Sequence, residues 1–216
     1  MSSVSIERRE RQKLQLRRHI LDAARKLLHA QGDVAVTIRR IAEAIEYSPT
    51  TIYLYFEDKE ALLRELCRLD AASLMSQLES IAAMEDPLES LRQTGLAYVE
   101  FGVTHPHHYG LMFKTVIGHT GDAPASDPER SFYVFLEKAV GRCMTRGLFR
   151  KELDDVGEIS QLLWAALHGL ISLHLAKGDE SWLDWRPSRH LAERMVDLQI
   201  RGLLRDSQLR SLHHVA

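Results

Sequence analysis

From Ser48 to Lys59 the chain reads SPTTIYLYFEDK, with hydroxyls on Ser48, Thr50, Thr51, Tyr53 and Tyr55 crowded around single apolar residues. On a helix, at about 100° per residue, Ile52 and Phe56 share one face and turn inward, while Thr50 and Leu54 point the opposite way. Thr51, Tyr53 and Tyr55 lie on the flanks. A helix buried all round would not carry hydroxyls there, and one facing only water would carry Lys or Glu. The chemistry open to such a face is contact with base edges and phosphates. Thr hydroxyls can bond bases, and the methyls of Thr50 and Leu54 can meet thymine methyls in a major groove. Ser48, Tyr53, Tyr55 and Lys59 can bond phosphate oxygens, which positions a helix without reading sequence. The helix start at Pro49, with its free N–H groups, is a further phosphate site. Thr37 and Arg39, in the segment just before, complete the candidate DNA-contacting set.

Two helices must hold that face in place. Ile38, Ile41, Ala42 and Ile45 recur at helical spacing behind Thr37, which has the side chain of an N-cap. After a break at Glu46-Tyr47, Ser48 caps the next helix and Pro49 takes its first position, where a missing N–H costs nothing. A helix, a turn of about three residues and a second helix are the layout of a DNA-binding helix-turn-helix. An ordinary helical hairpin in a bundle has the same spacing. Upstream, Ile20, Ala23, Ala24, Leu27 and Leu28 predict a first helix from about Leu14 to Ala30, stopped by Gly32. Ahead of it, Arg8, Arg9, Arg11 and Lys13 form a basic arm that can follow a DNA backbone or enter a minor groove. A solvated tail has the same composition.

Every later periodic segment reads as helix, and alternating strand patterns are absent. Glu57 or Asp58 opens a fourth helix to about Met84. Asp86-Pro87 opens a fifth, reaching Thr104, and His105-Pro106 a sixth. Asp127-Pro128 opens a seventh that ends near Arg146-Gly147. Asp154 or Asp155 opens an eighth to about Lys177-Gly178, and Ser188 a ninth to about Leu204. The stretch IGHTGDAPASDPER has the composition of an exposed loop. The expectation is an all-α fold of about nine helices. A three-helix unit spans 1–60, a larger helical unit 61–206, and a flexible tail 207–216.

A second constellation lies in the larger part. Phe101, His105, Tyr109, Met112, Phe113, Trp164 and His168 combine aromatic walls with a few polar groups, which is how small-molecule sites are built. A core of satisfied polar groups and volume-filling rings is the other assignment for each of them. Trp164 and His168 are four apart, on one face of LLWAALHGLISLHLA, a helix apolar nearly all round and therefore expected to be buried; Gly169 would allow another helix to come close. Eleven histidines raise the question of a metal sensor, but His105 and His108 lack the further ligands a zinc site needs, and no cofactor is expected. An enzyme using His168 would need a nucleophile motif, a phosphate loop or paired carboxylates, and none is visible. In the ninth helix Leu191, Ala192, Met195, Leu198 and Leu203 recur with charges between. Paired with the eighth helix and a second copy, they would form a four-helix dimer interface.

The bulk composition fits these assignments. The net charge is -2, yet residues 1–56 carry ten basic and six acidic groups, so the excess of acid lies wholly in the remainder. A basic end on an acidic body suits contact with a polyanion. No apolar run reaches the length of a membrane span, and the first residues lack an apolar signal core. Two distant cysteines, Cys67 and Cys143, suit a reducing compartment, and the expected location is cytoplasmic, with no membrane partner.

The stretch TIRRIAEAIEYSPTTIYLYFEDKEALLREL, from Thr37 to Leu66, resembles the signature of the TetR/AcrR family of transcriptional regulators. Thr37, Ile41, Ala42, Ser48, Thr51, Tyr53, Phe56, Lys59, Glu60 and Leu62 match the family pattern, and RRHILDAARKLLHAQG is similar to its first helix. The Trp164, His168 and Gly169 arrangement is similar to the WHG-type effector domain found behind some of these DNA-binding domains, and HPHHYGLMF looks like the helix that accompanies it. The resemblance implies a ligand-responsive regulator, most often a repressor, that binds a palindromic operator as a homodimer and releases it when a small molecule binds. It departs in two places, since the family has Gly where Glu46 stands and often Gly where Thr50 stands.

Overall fold

The computed structural model describes residues 3–113, 128–206 and 208. Among these residues the chain forms α1 (Ser3–Gln31), a 3-10 turn (Asp33–Ala35), α2 (Ile38–Ala44), α3 (Pro49–Tyr53), α4 (Lys59–Ala82), α5 (Pro87–Thr104), α6 (Pro106–Phe113), α7 (Pro128–Thr145), α8 (Val156–Lys177) and α9 (Ser188–Leu203). An antiparallel bridge pairs Phe149 with Leu204. Most of the expected loop before α7, and all of the expected tail except residue 208, lie outside the described residues. The chain divides into two compact units, one holding Met1–Asp70 and residues 110–113, the other Ala71–Tyr109 with the described chain from 128 onward.

Side-chain caps set most helix starts. Thr37 accepts from the Arg40 N–H at 3.2 Å, Asp58 from Ala61 at 2.6 Å, Asp86 from Leu88 at 2.8 Å and Asp155 from Glu158 at 3.1 Å. Each satisfies an N–H that the first turn leaves without a helical partner. At α9 the cap position falls on Pro187, without a side-chain bond, and Ser188 is already helical. The larger correction is at α1, which begins at Ser3 instead of about Leu14. Residues 7–13 are Glu, Arg, Gln and Lys, straight-chain helix formers that lack the apolar period by which a buried helix is recognised. The Arg11 side chain also bonds back to the Glu7 carbonyl at 3.4 Å.

In the first unit Ile20, Ala24 and Leu28 of α1 meet Ile41 and Ala42 of α2, Ile52 and Phe56 around α3, and Leu62, Leu63 and Leu66 of α4 in one buried core. Arg17 fastens α1 to α4, reaching Glu65 at 3.1 Å with its guanidinium 4.9 Å above the Phe56 ring. Arg68 and then Arg17 hold the Glu65 carboxyl below the usual carboxylate range, against the opposing effect of burial.

The second unit is built around α5, which packs against α7, α8 and α9. Its close approach to α8 depends on Gly102, where a Cβ would lie 2.8 Å from Ile171 and 3.0 Å from Tyr109. Helix α8 buries Ile159, Leu163, Leu167, Leu170 and Ile171, but it is not buried all round as its composition suggests. Leu162 and Leu173 are 61% and 57% exposed, and on α9 Leu198 is 71% exposed. Among the described residues beyond its own stretch of helix, no atom lies within 4 Å of a Cβ at Gly169, so they do not make the expected close approach. By length and apolar composition alone α8 is long enough to cross a membrane, contrary to expectation, although in this unit it serves as a packing helix.

Candidate functional site

The turn between α2 and α3 carries the first of two sites. Glu46 has φ 59, the one positive φ outside glycine among the described residues. The Tyr47 N–H bonds the Ala42 carbonyl at 2.9 Å and the Glu46 N–H bonds Glu43 at 3.3 Å. These are the two bonds of a Schellman helix stop, whose turning residue is left-handed and usually glycine. The end of α7 uses the same pair, Leu148 to Cys143 at 3.1 Å and Gly147 to Met144 at 2.8 Å, with Gly147 at φ 65. Glu46 therefore keeps a glycine geometry at a cost of about 1 kcal/mol.

The stop aims α3. Ser48 accepts from the Thr51 N–H at 3.3 Å and its hydroxyl lies 3.0 Å from that of Thr51, which fixes where the helix begins and occupies one N–H of its short first turn. Ile52 is fully buried and Phe56 nearly so, while Tyr53 and Leu54 are 55% and 76% exposed. Ser48, Pro49 and Thr50 are exposed beside them, as are Thr37 and Arg39, the latter paired to Glu43 at 3.0 Å. Two candidates are turned partly to the unit's own structure. Tyr55 packs against the core, and the Lys59 ammonium donates to the Asp33 carbonyl at 2.9 Å.

The second site is a chain of polar groups inside the second unit. Trp164, His168 and Ser172 stand at successive four-residue steps on α8 and share one face. The Trp164 Nε1–H donates to the Tyr98 hydroxyl at 2.9 Å, which lies 3.3 Å from the Tyr109 hydroxyl. Tyr109 lies 2.7 Å from His168 Nδ1, and Ser172 lies 3.1 Å from Nε2. Tyr98 and Tyr109 are almost completely buried. Phe132 of α7 stacks on Tyr98 with ring centres 4.0 Å apart, and Tyr133 lies 5.4 Å from Trp164. Burial lowers the His168 pKa from the ordinary imidazole value. Phe101 and His105 form a separate stacked pair, 4.8 Å between ring centres, where α5 ends. The side chains of Met112 and Phe113 lie outside the described residues.

Comparison with known proteins bears on both sites. Residues 20–66 match the family described as bacterial regulatory proteins, tetR family, and residues 91–198 match the tetracyclin repressor-like C-terminal domain. The HTH-type transcriptional regulator TcmR of Streptomyces glaucescens is 34% identical over 211 residues, covering 82% of this chain and 89% of that protein. The chain belongs to the TetR family. A second match, to the HTH-type transcriptional regulator AcrR of Shigella flexneri, is 34% identical over 98 residues, covering 44% of this chain but only 46% of that protein. A Rhodococcus sp. RHA1 structure of unknown function shares the fold of this TetR-family chain, with TM-score 0.73 at 23% identity over 88% of this chain and 96% of that one.

Within this TetR-family chain, Tyr109, Trp164 and His168 were visible in the sequence, whereas Tyr98, Phe132, Tyr133 and Ser172 were not. Ser172 carried a signal, four residues beyond His168 on the same helix face. Tyr98 reads as one more apolar residue of α5, and its partner Trp164 is distant in sequence. Among the described residues no group of three or more His, Cys, Asp or Glu side chains is placed to hold a metal ion.

Proposed function

We propose that this TetR-family chain is a cytoplasmic, ligand-responsive DNA-binding repressor that acts as a homodimer and leaves a palindromic operator when a small molecule binds its second unit. The observation that carries this is the division of α3 and its end: Ile52 and Phe56 are buried while Thr50, Tyr53 and Leu54 face outward. Thr50 and Leu54 offer methyl and hydroxyl groups to bases. Ser48, Pro49, Thr51, Tyr53 and Tyr55, with Thr37, Arg39 and Lys59, border the phosphates. Arg8, Arg9, Arg11 and Lys13 are exposed on helical backbone. A helix about 10–12 Å across does not enter a minor groove about 6 Å wide, so these cations follow the phosphate backbone.

Reading and sensing divide between residues 1–60 and 61–206. The small molecule occupies the region of Tyr98, Tyr109, Trp164 and His168, with Phe101 and His105 contributing walls. Two copies pair through α8 and α9. Among the described residues, Leu162, Leu173 and Leu198 are exposed within one copy and Gly169 has open space before it, as a helix-on-helix contact with a second copy requires. Pairing places two α3 helices in successive major grooves, about 34–36 Å apart or a multiple of it. The small molecule releases DNA by binding more tightly to the arrangement that cannot span both grooves.

The test is binding to a duplex that the protein itself enriches from a random-sequence pool, followed by anisotropy at rising salt. Affinity falls steeply with salt, with a slope set by the number of phosphates contacted. A protein that enriches no duplex refutes the proposal. A thermal-shift screen then finds small molecules that stabilise the native state. Coupling between the units fails if none of these changes affinity for the enriched duplex.

A further inference from the structure

Helix α7 carries two groups of contacts about three turns apart. Near its start, Phe132 stacks on Tyr98 and Tyr133 lies against Trp164, so two of its rings form a wall of the polar chain. Near its end, Arg142 reaches the corner where α4 stops and α5 begins. Its guanidinium donates to the carbonyls of Ala82 at 2.8 Å and Glu85 at 3.4 Å and to that of Met84, and it lies 3.4 Å from the Ser90 hydroxyl. Ser90 in turn donates to the Ile81 carbonyl at 3.0 Å, and Cys143 beside Arg142 donates to the Pro87 carbonyl at 3.2 Å.

The last carbonyls of a helix have no partner within it, and a cation placed there also meets the negative end of the helix dipole. No Lys, Arg or His of α4 stands in its own last turn. Arg142 supplies that charge from another helix, with a planar fork that can hold several carbonyls at once. Between the two groups of contacts, Phe132, Leu136, Ala139, Val140 and Cys143 make a continuous buried ridge on α7. Close-packed ridges shift as units and do not deform smoothly. Helix α4 is the element whose own chain continues back into the DNA-reading unit.

We propose that Arg142 is the positioning residue through which the Tyr98–Trp164 region holds the end of α4, with α7 as the rigid link between them. This rests on the proposal that the second unit senses a small molecule, and it specifies the route by which occupancy reaches DNA. A molecule that moves Phe132 or Tyr133 moves Arg142 with them, and so changes the hold on α4.

The test is hydrogen exchange on the full-length protein, read at the amides of Ile81 to Met84, for Phe132→Leu and Arg142→Gln singly and together. Arg142→Gln speeds exchange at these amides at least fivefold. Phe132→Leu, distant from them, speeds exchange at least threefold while Arg142 is present and by less than about 1.5-fold once it is replaced. Independent sites would give the same factor in both backgrounds. That result, or no effect of Phe132→Leu in a protein that keeps its circular dichroism, overturns the proposal. Tyr133→Leu takes the place of Phe132→Leu if the latter does not fold. The readout uses neither DNA nor a small molecule. Failure here therefore leaves the DNA-binding proposal standing, and failure to enrich a duplex leaves this linkage standing.

Discussion

The Tyr109 hydroxyl lies 2.7 Å from His168 Nδ1. That contact belongs to a chain with one direction of donation that satisfies every member. An indole N–H can only donate, so Tyr98 accepts from Trp164, and with Tyr98 donating to Tyr109 and Tyr109 to Nδ1 each of the two hydroxyl hydrogens has an acceptor. Nε2 then carries the imidazole proton toward Ser172. A second proton on Nδ1 would take away the acceptor to which Tyr109 donates in this arrangement. The network and burial thus both favour the neutral ring.

The consequence is a pH dependence of stability. The unfolded chain takes up a proton at His168 near pH 6.5, and the folded chain only at lower pH. Between those values the unfolded state binds more protons, so stability falls as the pH drops below about 6.5 and levels off below the folded pKa. Denaturant titrations from pH 7.5 to 5 should show this decline, and His168→Gln should flatten part of it.

Glu46 and Gly147 hold the same position in two Schellman stops. Replacing Glu46 with Gly should stabilise the first unit by about 1 kcal/mol, and replacing Gly147 with Ala should destabilise the second by about as much. The nearest atoms to a Cβ at Gly147 are those of Arg205, at 3.7 Å, so backbone conformation is the source of that cost. Urea unfolding of both variants measures the pair. Affinity of Glu46→Gly for the enriched duplex should stay unchanged.

At Gly102 a new methyl would press on Ile171, which is fully buried, and on the Tyr109 ring. Overpacking of this kind costs about 1–3 kcal/mol, partly offset by about 1 kcal/mol of helix propensity. Gly102→Ala should therefore lower the melting temperature and disturb the hydroxyl chain through Tyr109. A shift in tryptophan fluorescence would report the second effect.

Leu54 is exposed, so its loss should leave stability within about 0.5 kcal/mol. Thr50→Ala and Leu54→Ala should each weaken binding to the enriched duplex by about tenfold, in the range of a lost base contact. Anisotropy and thermal melts on the same samples separate the two effects.

Burial pushes the Cys143 thiol up to about 12, so almost no thiolate exists at neutral pH. Iodoacetamide at pH 8 should label Cys67, which is half-buried, well before Cys143. Labelling of Cys143 should track global unfolding, followed by mass spectrometry.

The helix order was legible because its signals are local. Thr37, Ser48, Asp86 and Asp155 mark starts within four residues of the N–H groups they cap. The outward set of α3 was legible for the same reason, since rotation by about 100° per residue needs no tertiary information. The N-terminal extension of α1 escaped because an exposed helix leaves no apolar stripe. Tyr98 and Arg142 escaped because their partners are distant in sequence. Arg142 stands in GRCMTRG, which reads as a polar helix end, and nothing nearby points to the carbonyls of α4. Composition also overstated the burial of α8, because an apolar helix reads alike whether all or only part of its surface packs within one copy.

The exposed leucines of α8 and α9 have a consequence outside any binding site. If two copies pair over Leu162, Leu173 and Leu198 as proposed, that contact belongs to the folded state alone, and stability rises with the amount of chain present. The unfolding midpoint then shifts upward as total protein is raised from nanomolar to micromolar. On that pairing, a cell that makes little of this protein would hold a more fragile form of it, more open to proteolysis, so synthesis rate and lifetime would reinforce one another.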